Sequence, residues 1–180
     1  MRVIGGTARG RRLRAPALAG LRPTSDRVRE AIFDILEARR LVEQASVLDL
    51  FCGSGALGIE ALSRGASSCT FVDEERRALA AVASNLAATG LGASAVELVA
   101  SGAEAFCRRA GRRFSLALVD PPYGFERWAD LLELLPAEVA VLEHSRPLEV
   151  AGRFQTLRSY RYGGTLVTLV AASSTAKDSP

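Results

Sequence analysis

The sequence predicts an α/β fold: a mainly parallel, seven-stranded sheet that finishes in an antiparallel hairpin. Three observations carry that expectation. Short apolar runs alternate with alanine-rich stretches of helical spacing. Several of those runs stop at an acid or a glycine, as strands do where they open onto a ligand crevice. Near the end, two β-prone runs meet at Gly163-Gly164, the signature of a hairpin. A length of 180 residues with 48% hydrophobic and 24% charged content suits one domain with a sizeable core.

Taken in chain order, Val3, Ile4 and Leu13 around Gly5-Gly6 and Gly10 suggest a short hairpin. Residues 1–22 therefore read as a basic N-terminal arm, 23–172 as the main domain, and the polar 173–180 as a disordered tail. Val28, Ile32, Ile35 and Leu36 have the spacing of one helix face, with Thr24 or Ser25 as N-cap. Residues 46–51 form a strand that runs into a glycine-rich turn and a helix over 56–64. Residues 69–72 are the second strand, 74–86 a helix, 96–99 a strand and 103–109 a helix. Strand 114–119, helix 127–135 and strand 139–143 follow, then the hairpin of 154–162 and 165–171. Strands separated by helices imply a parallel sheet with ligands outside the strand C-termini.

Two motifs carry chemistry. Cys52-Gly53-Ser54-Gly55-Ala56-Leu57-Gly58 is a G-x-G-x-x-G turn, whose glycines let backbone approach a ligand and whose following helix offers free amides. Asp73, at the next strand end, is placed to accept from ribose hydroxyls. The second motif is Asp120-Pro121-Pro122-Tyr123, directly after an apolar strand. Proline lacks an N–H and extends its neighbour, so the strand's last carbonyls are left to face outward beside the Asp120 carboxylate. An exocyclic base amine has its lone pair delocalised into the ring and needs acceptors for both hydrogens before it can attack. Asp120 and the Pro121 carbonyl are candidates for that role, with Pro122 shaping the turn and Tyr123 offering a face on which an extruded base stacks. A plain Pro-Pro turn would account for the tetrapeptide alone, and a nicotinamide enzyme for the glycine turn alone. Together with the Asp49-Leu50-Phe51 lead-in they favour S-adenosylmethionine and methyl transfer to a base amine. Asp49, Phe51, Gly53, Gly55 and Asp73 are the cofactor candidates.

Charge is unevenly spread. Residues 1–29 hold eight arginines against the single acid Asp26, a local net charge of +7 within a chain of net charge +3. Such a stretch suits a phosphate backbone. Arg9, Arg11 and Arg12 are the leading RNA-contact candidates, with Arg22 and Arg27 beside them. Arg27 and Arg29 fall on a first helical turn, where charges are normally solvated. Cys52, Cys69 and Cys107 lack metal-ligand spacing and read as reduced core residues, so no metal is expected. No run approaches a membrane span and the N-terminus has no apolar signal core, so no membrane partner and a cytoplasmic location are expected.

Further stretches bring a family into view: Arg2-Val3-Ile4-Gly5-Gly6 with Gly10-Arg11-Arg12-Leu13, then Arg22-Pro23-Thr24 with Asp26-Arg27-Val28-Arg29-Glu30. To these add Glu60-Ala61-Leu62-Ser63-Arg64-Gly65-Ala66, Glu143-His144 and Arg161-Tyr162-Gly163. With them the chain resembles, over nearly its whole length, the bacterial small-subunit rRNA guanine-N2 methyltransferases that modify guanine 966 of 16S rRNA. The resemblance implies a Rossmann-like class I methyltransferase fold and S-adenosylmethionine as cofactor. It also implies a monomer acting on 16S rRNA in an assembled or partly assembled 30S subunit. In related enzymes the segment at Thr24 closes over the methionine end of the cofactor. The family commonly has Gly-Asp after the third strand, its aspartate on the adenine amine; here Ser101-Gly102-Ala103 stands instead, with Ser101 the substitute candidate and Glu104 expected to face solvent. His144 reads as a structural histidine or a single RNA contact. Two rivals come from other classes. A DNA adenine-N6 methyltransferase shares the Asp-Pro-Pro-Tyr chemistry but usually carries a target-recognition region for which there is no room here. A non-catalytic RNA-binding assembly protein would not need the cofactor residues.

Overall fold

The computed structural model describes residues 1–15, 25–92 and 95–173. After helix α1 (Asp26–Ala38) come β1 (Ser46–Leu50), α2 (Ala56–Ser63), β2 (Ser68–Asp73), α3 (Arg76–Thr89) and β3 (Ala95–Ala100). Then follow α4 (Ala103–Arg109), β4 (Phe114–Val119), α5 (Trp128–Leu134), β5 (Ala137–His144), β6 (Phe154–Tyr162) and β7 (Thr165–Ala172). The strands form one sheet in the order β3-β2-β1-β4-β5-β7-β6. The first five are parallel, and β7 runs antiparallel to both β5 and β6. This is the expected seven-stranded sheet, with the Gly163-Gly164 turn closing its terminal hairpin.

Two-residue periodicity divides the core. In β1, Val47 belongs to the cluster on one face of the sheet while Leu48 and Leu50 belong to the other. In β4, Leu116 and Leu118 face the first cluster, and Ala117 and Val119 the second. The first face is covered by α1, α2, α3 and the N-terminal segment; the second by α4 and α5 through Ala103, Cys107, Leu131 and Leu132. Strands buried on both faces must be apolar on both, which is why the central runs lack a polar alternation. Helix α1 is capped by Ser25, whose Oγ accepts from the Val28 amide, and it buries Val28, Ile32 and Leu36 as its stripe requires. Thr24, the other N-cap candidate, and Arg22 lie outside the described residues. Of the expected tail only Ser173 is described; its amide donates to the Arg153 carbonyl. No helix among the described residues is long and apolar enough to cross a membrane.

The N-terminal segment forms a hairpin-like loop with a single antiparallel bridge, Arg2 to Arg12. It is fastened along α2. The Glu60 carboxylate accepts from the amides of Ile4 (2.8 Å) and Gly5 (2.7 Å), and the Ser63 carbonyl and hydroxyl accept from the amides of Thr7 and Ala8. A Cβ on Gly6, which has φ +73°, would meet the Ser63 carbonyl oxygen at 1.8 Å, so only glycine allows this approach. Val3, Ala8 and Leu13 are buried beneath the loop.

Arg29 departs from the expected solvated charge. It is fully buried, donates to the Arg2 carbonyl and to Asp26, and lies 3.6 Å from Glu60. A buried charge is tolerable only when paired, and Glu60, itself buried, is shared between Arg29 and Arg64.

Candidate active site

Strand registers bring the chemistry to one line. Leu50 pairs with Val72 on one side and Val119 on the other, so Phe51, Asp73 and Asp120 leave the sheet side by side. Asp73 in turn pairs with Ala100, which puts Ser101 next in line, and the Ser101 amide donates to the Asp73 carbonyl at 3.0 Å. The chain winds from β1 outward to β3, then returns to β4 and moves the other way. The crevice between β1 and β4 is thus the topological switch point, where doubly wound sheets bind ligands.

The turn after β1 is built from left-handed backbone: Phe51 has φ 58°, Gly53 51° and Gly55 74°. An aromatic residue in that region is strained, and such strain collects at ligand sites where surrounding contacts enforce it. Here Phe51 is held by an edge-on contact with Phe125, 5.4 Å between centroids. Gly55 and Gly58 keep α2 against the sheet, because a Cβ on Gly58 would sit 2.4 Å from the Phe71 ring. Asp49 lies beneath the turn, buried, with Oδ2 accepting from the Gly58 amide at 2.9 Å. Among the cofactor candidates it is the one that supports the turn from inside. Asp73 is half-buried; its carboxylate accepts from the amides of Gly53 and Glu75, both at 2.9 Å, and carboxylate oxygens retain lone pairs for further donors.

Three carboxylates converge here. Burial pushes the Asp49 carboxyl well above its ordinary range; the Gly58 hydrogen bond opposes this, while Asp120 and Asp73 add to it. A cation in the crevice would relieve that crowding, and an anionic pyrophosphate would worsen it. Burial also raises the thiols of Cys52 and Cys69, keeping both protonated as core residues.

Beyond β4, Asp120 and Pro121 are half-buried and Pro122 is exposed. A turn follows in which the Phe125 amide donates to the Pro122 carbonyl at 3.2 Å. Tyr123 at its tip is 78% exposed, an aromatic face with nothing packed over most of it. Phe125, Trp128 and His144 continue an aromatic wall, each ring edge-on to the next at 5.2 and 6.0 Å. His144 is held at both nitrogens, by the Arg146 carbonyl (2.6 Å) and Thr168 Oγ1 (2.9 Å), and burial lowers its pKa.

Sequence reasoning missed the role of Glu104. Instead of facing solvent, its side chain is only 15% exposed, Oε2 pairs with Arg127 at 2.9 Å, and Oε1 is buried with no hydrogen-bond partner among the described residues. Ser101 Oγ donates to the Gly102 carbonyl and accepts from Arg109 at 3.4 Å. Arg9, Arg11, Arg12 and Arg27 are all exposed. The loop runs along α2 with Arg14 near the glycine turn, where Asn85 bonds both Arg14 and the Ser54 carbonyl, and with Gly6 and Thr7 at the far end of α2.

The family model described as Conserved hypothetical protein 95 matches residues 1–171. The chain is 43% identical over 123 residues to Ribosomal RNA small subunit methyltransferase D of Escherichia coli (strain K12), a match covering 68% of this chain and 60% of that relative. A Bacillus subtilis (strain 168) protein provisionally named an rRNA methyltransferase is 37% identical over 182 residues, covering 94% of this chain and 97% of its own. Among solved structures, a hypothetical protein of Thermus thermophilus superposes with a TM-score of 0.81 at 34% identity, covering 96% of this chain and 99% of that one. The fold is that of class I S-adenosylmethionine-dependent methyltransferases.

Proposed function

We propose that this chain, which belongs to the Conserved hypothetical protein 95 family, transfers a methyl group from S-adenosylmethionine to the N2 amine of a guanine in 16S rRNA, guanine 966 of that RNA. It acts as a monomer on an assembled or partly assembled 30S subunit. The observation that carries the reading is the side-by-side exit of Phe51 and Asp120 from β1 and β4, which brings the glycine turn and the Asp-Pro-Pro-Tyr motif to one crevice. The name of the Escherichia coli relative supports rRNA as the acceptor.

The crevice residues fit the cofactor. The Gly53 to Gly55 turn and the first turn of α2 would hold its methionine part, Asp73 its ribose hydroxyls, and Ser101 and Gly102 the adenine edge. The convergence of Asp49, Asp73 and Asp120 favours a cationic ligand over a pyrophosphate. When bound, S-adenosylmethionine supplies a methyl carbon already activated by a positive sulfonium, so positioning is the main demand on the protein. Asp120 and the Pro121 carbonyl accept the two amine hydrogens and turn the nitrogen lone pair toward the electrophile. Tyr123 stacks on the extruded base, and the Phe125-Trp128 wall shields the crevice from water. Methyl transfer leaves the amine nitrogen cationic and therefore acidic, and its proton passes to the Asp120 carboxylate and on to water without a titrating imidazole, consistent with both His144 nitrogens being engaged elsewhere. Arg9, Arg11 and Arg12 contact phosphates.

Transfer of labelled methyl from S-adenosylmethionine to small subunits lacking the modification, with naked 16S rRNA and duplex DNA alongside, tests the reading. Label mapped to N2 of one guanine supports it. Label in adenine overturns the substrate assignment.

A further inference from the structure

At the end of the sheet opposite Asp120, a cavity of about 360 Å³ is lined by Arg112, Arg113 and Arg153 over a floor of Cys107, Leu134 and Pro136. It opens where β4, β5 and β6 begin. Its cations are held in place beforehand: Arg112 lies over the Phe114 ring at 5.0 Å and Arg153 over Phe154 at 5.4 Å, while Arg113 donates to the Ala137 carbonyl at 3.4 Å. Arg112 is paired with Glu97 at 2.8 Å; among the described residues, Arg113 and Arg153 form no ion pair. Partial burial lowers the Arg153 pKa, and Arg113 lowers it further, while Glu133 offsets them only in part. Two like charges kept together beside an open cavity, with too little negative charge, are what an anion site requires. The neighbouring Arg109 is turned away toward the Ala105 carbonyl and Ser101, and takes no part. The floor is inert, since burial holds the Cys107 thiol protonated with a pKa pushed up to about 12. By contrast, the concavity of about 280 Å³ between α1 and α2 is charge-balanced, with Arg64 already paired to Glu37.

We propose that the cavity framed by Arg112, Arg113 and Arg153 is a second phosphate-binding site, which holds the backbone of the acceptor RNA away from the methylated base. The six residues of β4 separate it from Asp120 by about 20 Å. Occupying both ends therefore takes several nucleotides beyond the one that is methylated. The choice of RNA rests on the function proposed above; the phosphate chemistry does not.

The test compares wild type with the pair Arg113→Ala and Arg153→Ala, measuring 16S rRNA binding across a salt series and calorimetric uptake of inorganic pyrophosphate. The expected result is RNA affinity lowered about tenfold or more and a salt slope reduced by about 1–2, as the removal of two phosphate partners dictates. The corresponding pair of lysine substitutions should keep the slope, and S-adenosylmethionine affinity should not move. Unchanged RNA affinity and slope overturn the proposal. Pyrophosphate uptake lost in the alanine pair with RNA binding intact overturns the RNA assignment and marks a site for a small phosphorylated ligand. RNA binding lost in the pair, from a protein that methylates no rRNA, supports the site while the catalytic reading fails. Should the alanine pair not fold, Arg113→Glu, on an exposed side chain, gives the same readouts.

Discussion

Asp73 at the end of β2 accepts a 2.9 Å hydrogen bond from the Gly53 amide, joining the second strand end to the turn that follows the first. One carboxylate thus shapes the glycine turn and remains available to a ribose. Asp73→Ala removes both contributions, and a hydrogen bond to a charged group is worth about 1.5–3 kcal/mol. Calorimetric titration with S-adenosylmethionine should show affinity weakened by roughly 10- to 100-fold, with Asp73→Asn in between. Equal affinities would remove Asp73 from the cofactor site.

Asp120→Ala should lower the single-turnover methyl-transfer rate by about 10²–10³-fold, the usual loss when an oriented polar contact to the reacting group disappears. Cofactor affinity should fall far less than in Asp73→Ala, since Asp120 is assigned to the amine and acts on the cofactor only through its charge. A variant retaining most of its rate would contradict that assignment.

Gly6→Ala attacks the arm alone. The added methyl meets the Ser63 carbonyl oxygen at 1.8 Å on backbone with φ +73°, so the loop must lift from α2. Thermal melting should fall and RNA affinity weaken, while S-adenosylmethionine affinity is preserved. If RNA affinity were unchanged, the docked arm would not be a recognition element.

Replacing Arg9, Arg11 and Arg12 together by Ala should reduce the slope of log affinity against log salt by about 0.7–0.9 for each phosphate these side chains neutralise. All three are exposed, so melting temperature should barely move. An unaltered slope would show that these arginines touch no phosphate.

His144 is the only histidine, and burial lowers its pKa in the folded protein. The unfolded chain titrates near the ordinary value of about 6.5. Between the two values the unfolded state binds more protons, so this contribution to stability is complete above about pH 6.5 and is lost as pH falls toward the folded value. Asp49, raised in the folded state, contributes the opposite slope over its own range. Denaturant midpoints of wild type minus those of His144→Asn, taken across mildly acidic pH, isolate the histidine. A flat difference would contradict its shift.

The strand ends were legible because their signals are local. A glycine pattern directly after an apolar run, and an acid directly before two prolines, fix where Gly53, Asp73 and Asp120 stand without knowledge of the rest of the chain. The burial of Arg29 was not legible, since its partner Glu60 is distant in sequence and a helical arginine normally faces water. One signal pointed to the pair: α2 reads Ala-Leu-Gly-Ile-Glu-Ala-Leu-Ser, apolar all round, so its lone acid had to be buried and paired. The arginine cavity was hidden for another reason. Arg113 and Arg153 meet only because β4, β5 and β6 begin at the same end of the sheet, and the local cluster of Arg108, Arg109, Arg112 and Arg113 gives no sign of which distant arginine joins it.

The fastening of the first fifteen residues also bears on how the molecule is made. Arg14 finds its partner Asn85 across 71 positions, and the Ile4 amide finds Glu60 across 56. At synthesis rates of about 5–20 residues per second, the arginine-rich segment waits roughly 4–14 s after emerging before its last anchor emerges in turn. For that interval a strip of cationic chain has no seat, within reach of the polyanionic ribosome that makes it. Docking of the segment thus waits for α2 and α3, the helices that carry Glu60 and Asn85, and until they are in place nothing withdraws it.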